Sequence, residues 1–204
     1  QPITHTYSLS LRTKPEPMGK LTVVRKETTP IPDQAPGTSG LRKKTKVFME
    51  GNYLANFVQA TFNALKEQGT DITSQALLVG GDGRFFNPEA IQQIIKIAIG
   101  NGVRRVVVAQ HGLMSTPACS AVIRERGPRW QTAFGSFNLT ASHNPGGIDD
   151  DFGINYNAEN GGPATGKLTR AIHGHTSLVC DVLLSPHFAD VDVRSVGSVK
   201  VERG

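Results

Sequence analysis

The sequence has little cysteine and no long hydrophobic run. Its two cysteines, Cys119 and Cys180, lie far apart and lack the spacing of metal ligands, which is typical of structural thiols in a reducing compartment. No apolar run approaches the length needed to cross a membrane, and residues 1–17 lack the apolar stretch of a secretory signal. These absences argue against a membrane span and favour a cytoplasmic location.

Internal repeats and runs of a single residue type are also absent. The 204 residues are 38% apolar and 19% charged, which is enough for one globular core with tails. Lys and Arg number 22 against 17 Asp and Glu, a net charge of +5 that suits an anionic partner such as nucleic acid, a membrane surface or phosphate. Nucleic-acid binding through Lys43, Lys44 and Lys46 is disfavoured because no aromatic platform is interleaved with them. The sequence indicates no oligomeric state.

Short apolar runs alternate with segments of helical periodicity. We predict an α/β fold, a three-layer αβα domain with a mostly parallel sheet. The predicted strands are 21–27, 76–81, 105–110, 135–140 and 152–157, and the predicted helices are 53–69, 87–102 and 115–126. Asn87 is the predicted cap of the second helix, and Ser115 or Thr116 that of the third. Residues 28–46 are predicted to be a long loop because of their prolines and glycines.

The stretch "FNLTASHNPGG" places a serine directly after a predicted strand. In open α/β sheets, ligands bind beyond the carboxyl ends of the strands, and Asn144 to Gly147 force turns that expose Ser142. The hydroxyl could act as a nucleophile, with the adjacent His143 shifting protons or donating to a phosphate. The alternative is a turn in which Ser142 and Asn144 only form local hydrogen bonds.

Two further stretches could bind an anion. In "PGTSGLRKK", the glycines could free backbone N–H groups, Thr38 and Ser39 add hydroxyls, and Arg42 supplies a planar fork that matches phosphate; the alternative is a flexible, solvated basic linker. In "GGDGRFF", Asp82 and Arg84 follow a strand. We favour a structural pairing of these two over a site, and a single aspartate makes a metal site weak here.

Taken together and in order, "PGTSGLRKK", "VGGDGRFF" and "LTASHNPGG…DFGI…NGGPA" resemble the first domain of the α-D-phosphohexomutases. Within that family the sequence is most similar to eukaryotic-type phosphoglucomutases, including the parafusin-like members. The resemblance runs from about Leu21 to Lys200. We expect residues 18–204 to be this domain with the start of a linker to a second one, and residues 1–17 to be an unassigned extension.

The resemblance implies a role for each matched residue. Ser142 would carry the phosphoryl group, pass it to glucose 1-phosphate to form glucose 1,6-bisphosphate, and regain a phosphate as glucose 6-phosphate leaves. His143 would share the catalytic site. Arg42, with Thr38 and Ser39, would bind the hexose phosphate, and the phosphate on Ser142 would ligate Mg²⁺.

Two departures from the family pattern stand out. Asn155 occupies a position in the substrate site where such proteins usually have a lysine, so a charge is missing. The family also has four domains, with its aspartate-rich metal loop in the second, and no such loop occurs here. We therefore expect a fragment that is inactive alone. The alternative is a non-catalytic, parafusin-like binding protein linked to regulated secretion.

Overall fold

A computed structural model describes residues 21–125 and 132–199 of the chain. The expected extension, residues 1–17, lies outside the described residues. In chain order the elements are β1 (Val24–Glu27), β2 (Leu41–Lys44), α1 (Thr45–Met49), α2 (Tyr53–Glu67), β3 (Ala76–Gly81), α3 (Asn87–Gly100), β4 (Arg105–Leu113), α4 (Thr116–Arg124), β5 (Ala133–Leu139), β6 (Asp151–Ala158), α5 (Gly166–Thr176) and β7 (Asp181–Leu184).

The main sheet has five strands in the order β2-β6-β5-β3-β4. β3 pairs in parallel with β4 and β5, whereas β6 is antiparallel to β5 and β2. Four strands of this sheet therefore run one way and β6 runs against them. Parallel neighbours need a crossover, which α3 supplies between β3 and β4. The step from β5 to β6 needs none, because these strands are antiparallel. The predicted, mostly parallel sheet is confirmed.

Helices cover both faces of this sheet. On one face, the ring of Phe62 in α2 packs edge-on against Phe137 of β5, with the ring centroids 5.9 Å apart. On the other face, Ile123 of α4 is fully buried in a cluster that includes Leu78 of β3. Since successive strand residues point to opposite faces, the two clusters lie on either side of one sheet. This confirms the predicted three-layer αβα architecture.

Two predictions for the N-terminal part need correction. The predicted first strand, residues 21–27, is confirmed over Val24–Glu27, but it starts three residues later and pairs antiparallel with β7 in a separate two-stranded sheet. The predicted loop, residues 28–46, contains β2 and the start of α1. β2 has only one apolar residue, Leu41, which is 1% exposed and lies opposite Ile154. So short a strand leaves no detectable alternation of apolar and polar residues.

The helix ends follow the predicted signals in part. Ser115 caps α4 by accepting a hydrogen bond from the Ala118 N–H at 3.3 Å. Asn87 is not a cap: it is the first residue of α3, and Phe86 precedes it in a left-handed conformation (φ 72°). Among the residues that the structure describes, no helix has the length and apolar character to span a membrane.

Candidate active site

The carboxyl end of β5 and the strand β2 lie on either side of β6 in the main sheet. Thr140 donates its backbone N–H to the Gly153 carbonyl at 2.9 Å, and Arg42 is the β2 partner of the same Gly153. The Arg42 Cγ lies 3.2 Å from where a Gly153 Cβ would be, a position that would also overlap the Thr140 carbonyl oxygen. The Arg42 side chain thus crosses Gly153 beside Thr140, two residues before Ser142, on the edge that the sequence predicts.

Ser142 is exposed at the start of the loop between β5 and β6. Its φ is 60°, a left-handed conformation that costs a non-glycine residue about 1–2 kcal/mol. The loop is tied down by Asn144, whose side chain donates to Asp151 at 2.7 Å, and by Thr45, whose hydroxyl donates to the Gly147 carbonyl at 2.9 Å.

The hydroxyl of Ser142 plays little part in holding this loop. In the described part of the chain it approaches the His143 Nδ1 at 3.5 Å, which is at the limit of a hydrogen bond. The Asn144 side chain makes a loop-stabilising bond, as the turn interpretation expects, whereas the Ser142 hydroxyl remains available. Ser142 and His143 are thus brought together, and their catalytic roles stay predictions.

Asp82 and Arg84 pair with each other, as predicted. The Arg84 Nη2 lies 2.6 Å from the Asp82 Oδ2, and the Arg84 side chain is only 5% exposed. Thr140 also donates its hydroxyl to the Asp82 Oδ2 at 2.6 Å. Burial by itself raises the pKa of Asp82, but the hydrogen bonds from Arg84 and Thr140 outweigh it and hold this pKa below its ordinary value.

Arg84 also reaches the serine loop, a role that sequence reasoning missed. Its guanidinium donates to the backbone carbonyls of Asp151 at 2.6 Å, Ser142 at 3.3 Å and Pro145 at 3.5 Å. An arginine two residues after a strand-ending aspartate suggested only a local pair. The contact depends on the strand order: β3 lies beside β5, and this places Arg84 under the serine loop.

The turn that contains Thr38 and Ser39 differs from the prediction. Gly37 and Gly40 exchange backbone hydrogen bonds, with N···O distances of 2.9 and 3.1 Å. Their N–H groups are therefore used by the turn and do not converge on an anion. Thr38 and Ser39 are exposed at its tip. Gly40 (φ 80°) lies against Asn155, whose Cγ is 2.8 Å from the position of an added Cβ. This contact brings the turn next to Asn155.

Arg42 and Asn155 each carry a buried polar atom without a protein partner in the described part of the chain, the Arg42 Nε and the Asn155 Oδ1. Arg42 lies opposite Gly153, and Asn155 is two residues further along β6, so both side chains start from one face of the sheet. One unmet donor and one unmet acceptor therefore share a face beside the serine loop.

The residues at this site do not by themselves suit Mg²⁺, which prefers several oxygen ligands. Both Asp82 oxygens accept hydrogen bonds from Arg84, and Asp151 is paired with Lys44 at 2.9 Å. Asp149 pairs with Lys46, and Asp150 accepts the Gly147 N–H at 3.1 Å. Within residues 21–125 and 132–199, no group of three or more His, Cys, Asp or Glu side chains is arranged to hold a metal ion.

Comparisons with known proteins agree with this fold. Residues 33–177 match the family described as phosphoglucomutase/phosphomannomutase, alpha/beta/alpha domain I. The chain is 54% identical over 181 residues to a cytoplasmic phosphoglucomutase of Pisum sativum and 57% identical over 176 residues to one of Populus tremula. These matches cover 88% and 86% of this chain but 31% and 30% of the relatives, so the chain spans about a third of their length.

A solved structure supports the same assignment. The open form of parafusin from Paramecium, described as an exocytosis-sensitive phosphoprotein and a phosphoglucomutase, superposes with a TM-score of 0.81 at 41% identity, covering 86% of this chain and 31% of that one. The fold and these matches thus define a first domain of the α-D-phosphohexomutases. The chain belongs to the phosphoglucomutase/phosphomannomutase family, and its matches support the eukaryotic-type phosphoglucomutase branch.

Proposed function

We propose that this chain is the phosphoserine-bearing domain of a phosphoglucomutase, with Ser142 as the phosphoryl carrier. The observation that carries the proposal is the Ser142 hydroxyl itself. It is exposed on a tied-down loop, its one side-chain contact within the described residues is the long one to His143, and it lies on the sheet edge that also holds Arg42. Phosphoryl transfer depends on positioning and charge stabilisation more than on covalent chemistry, so a held loop with a free hydroxyl suits it.

The proposed reaction moves one phosphoryl group out and another back. The phosphoryl group on Ser142 passes to the C6 oxygen of glucose 1-phosphate, the proton of that hydroxyl ends on the freed Ser142 oxygen, and glucose 1,6-bisphosphate forms. The C1 phosphoryl group of the bisphosphate then passes to the Ser142 oxygen, the serine proton ends on the C1 oxygen, and glucose 6-phosphate leaves. His143, 3.5 Å from the Ser142 hydroxyl, is the nearest side chain that could take or return the serine proton.

Arg42, Thr38, Ser39 and Asn155 are the proposed contacts for the hexose phosphate. The position of Arg42 supports this assignment because its side chain crosses Gly153 beside Thr140, and that of Asn155 because the Thr38–Ser39 turn packs against it. Phosphate on Ser142 would bring about −1.5 to −2 charges at neutral pH, which Arg42 is placed to offset. Asn155 supplies hydrogen bonds but no charge, so we expect weaker phosphate binding than a lysine would give.

Mg²⁺ would be held partly by the phosphate on Ser142, and the described residues supply too few oxygen ligands to complete its shell. When bound, it would neutralise charge on the transferred phosphoryl group. Because the chain spans about a third of its relatives, we propose that it is inactive alone. The names of those relatives support a cytoplasmic location and action on hexose phosphates.

A chimera tests the proposal. This chain would replace the matching third of the pea relative and be assayed for Mg²⁺-dependent conversion of glucose 1-phosphate to glucose 6-phosphate. We expect turnover from the chimera, none from the chain alone, and none from the chimera with Ser142→Ala. A chimera that folds but does not turn over even with Asn155→Lys, or an active Ser142→Ala chimera, would refute the role of Ser142.

A second candidate is a non-catalytic binding protein. Asn155 favours it because the site lacks a charge, and so does the description of the parafusin match as an exocytosis-sensitive phosphoprotein. The two candidates differ in one result. A binding protein would leave the chimera inactive even after Asn155→Lys, whereas a mutase domain with a weakened phosphate site would become more active.

A further inference from the structure

We propose that Asp82, Arg84 and Thr140 act together as a positioning device that fixes the backbone of Ser142 for phosphoryl transfer. This inference rests on the proposed function for its catalytic consequence, but its structural part stands independently. None of the three side chains is assigned to contact the substrate. Each acts on the peptide groups that flank the serine hydroxyl.

Both backbone polar groups of Ser142 are tied to the Asp82–Arg84 pair. The Ser142 carbonyl accepts a hydrogen bond from the Arg84 Nη2 at 3.3 Å. The Ser142 N–H donates to the Thr140 hydroxyl oxygen at 3.0 Å, and that hydroxyl donates to the Asp82 Oδ2 at 2.6 Å. Because Asp82 takes the hydroxyl proton, the lone pairs of the Thr140 oxygen are left for the Ser142 N–H.

The conformation of Ser142 needs such restraint. A serine at φ 60° is held in a region that persists only where the surrounding structure over-determines it. Arg84 contributes further by donating to the carbonyls of Pro145 and Asp151, one on either side of the loop's glycines. The loop packs on it closely: a Cβ at Gly146 would lie 2.6 Å from the Arg84 Cβ. These contacts orient the serine hydroxyl through its backbone, so the hydroxyl itself need not form a hydrogen bond within the protein.

The chain offers a matched control in Asp192 and Arg194. This second Asp-x-Arg pair has the same bonds, from the arginine N–H at 3.0 Å, its Nε at 2.8 Å and its Nη2 at 3.2 Å, to the aspartate two residues before. The Arg194 side chain is 78% exposed, and its pair has no bond to the serine loop. Asp192→Asn therefore removes an equivalent local pair without touching Ser142.

The first experiment measures hydrogen exchange of the Ser142 amide in the full chain. Thr140→Val deletes the hydroxyl at nearly constant shape and leaves the Asp82–Arg84 pair intact. Thr140→Ser restores the hydroxyl and is the conservative rescue. We expect exchange about tenfold faster in Thr140→Val, the loss expected for one such hydrogen bond, and near-normal exchange in Thr140→Ser and Asp192→Asn. Asp82→Asn should also accelerate it, provided the thermal midpoint shows that the variant folds.

The second experiment measures kcat and KM of the chimera with the same substitutions. A positioning role predicts that Thr140→Val lowers kcat about tenfold or more with KM for glucose 1-phosphate little changed, and that Thr140→Ser recovers most of the loss. Unchanged Ser142 exchange in Thr140→Val, or an equal effect of Asp192→Asn, overturns the inference. A normal kcat in a variant whose Ser142 amide exchanges faster than in the unsubstituted protein also overturns the inference. An inactive unsubstituted chimera counts against the proposed function, and the exchange result then decides the structural part.

Discussion

Replacing Gly40 by alanine tests whether the Thr38–Ser39 turn is docked on β6. Gly40 has φ 80°, and an added methyl group would overlap the Ile154 carbonyl oxygen and the Asn155 side chain. Asn155 can rotate away, but the Ile154 carbonyl belongs to the sheet backbone and cannot. Two costs therefore add: the strain of alanine in a left-handed conformation, and the close approach to the sheet.

The magnitude follows from these two costs. An alanine in the left-handed backbone conformation costs about 1–2 kcal/mol. About 0.4–1 kcal/mol of this stability is recovered because alanine lowers the conformational entropy of the unfolded chain. Overpacking against the backbone adds about 1–3 kcal/mol. We expect Gly40→Ala to lower the free energy of unfolding by about 2–4 kcal/mol in urea denaturation.

Gly69 supplies the control for this experiment. Its φ is 76°, nearly that of Gly40, but nothing lies within 4 Å of an added Cβ. Gly69→Ala should therefore cost only about 1 kcal/mol, the strain without the overlap. Equal losses for the two variants would show that the turn does not pack on β6, and the placement of Thr38 and Ser39 beside Asn155 would fall with it.

Three further predictions concern the site. Ser142→Ala should change the free energy of unfolding of the chain by less than about 0.5 kcal/mol in urea, because the side chain is exposed; a larger loss would mean that the hydroxyl is structural. Asn155→Lys should raise turnover of the chimera roughly tenfold through a charge-assisted bond to phosphate, and unchanged turnover would argue against Asn155 in the substrate site. The pKa values of Asp82 and Asp151 lie below their ordinary value of 3.8, for Asp151 chiefly because of hydrogen bonds from Lys44 and Asn144. The ionised carboxylates therefore stabilise the folded state fully above about pH 4, and this stabilisation is lost as pH falls through their lowered pKa values. The thermal midpoint of the chain should drop over that acidic range, and it should drop less steeply in Asp82→Asn.

Long, regular elements were predictable from the sequence, whereas short ones were not. α2 and α3 each span about four turns with one apolar face, so their periodicity repeats often enough to be recognised. β2 has four residues and one buried apolar side chain, and it exists because β6 offers a partner. No local pattern reports such a partner, so Leu41–Lys44 was predicted to be a loop.

The site was predictable where it depends on chain order and not where it depends on strand order. Ser142, His143 and the pairing of Asp82 with Arg84 follow from residues close in sequence. The contact between Gly40 and Asn155, and the bonds from Arg84 to the serine loop, join residues more than 50 positions apart. They arise because β6 turns back between β5 and β2 and because β3 lies beside β5.

Phosphopeptide mapping of the chimera tests the central claim most directly. The protein would be incubated with glucose 1,6-bisphosphate and Mg²⁺, freed of ligand, and examined by intact-mass and peptide mass spectrometry. We predict one phosphoryl group per chain, located on Ser142. This group should be lost when excess glucose 1-phosphate is added as acceptor and the glucose 1,6-bisphosphate that forms is removed. An active chimera without phosphate on Ser142, or with the phosphate on another residue, would contradict the account.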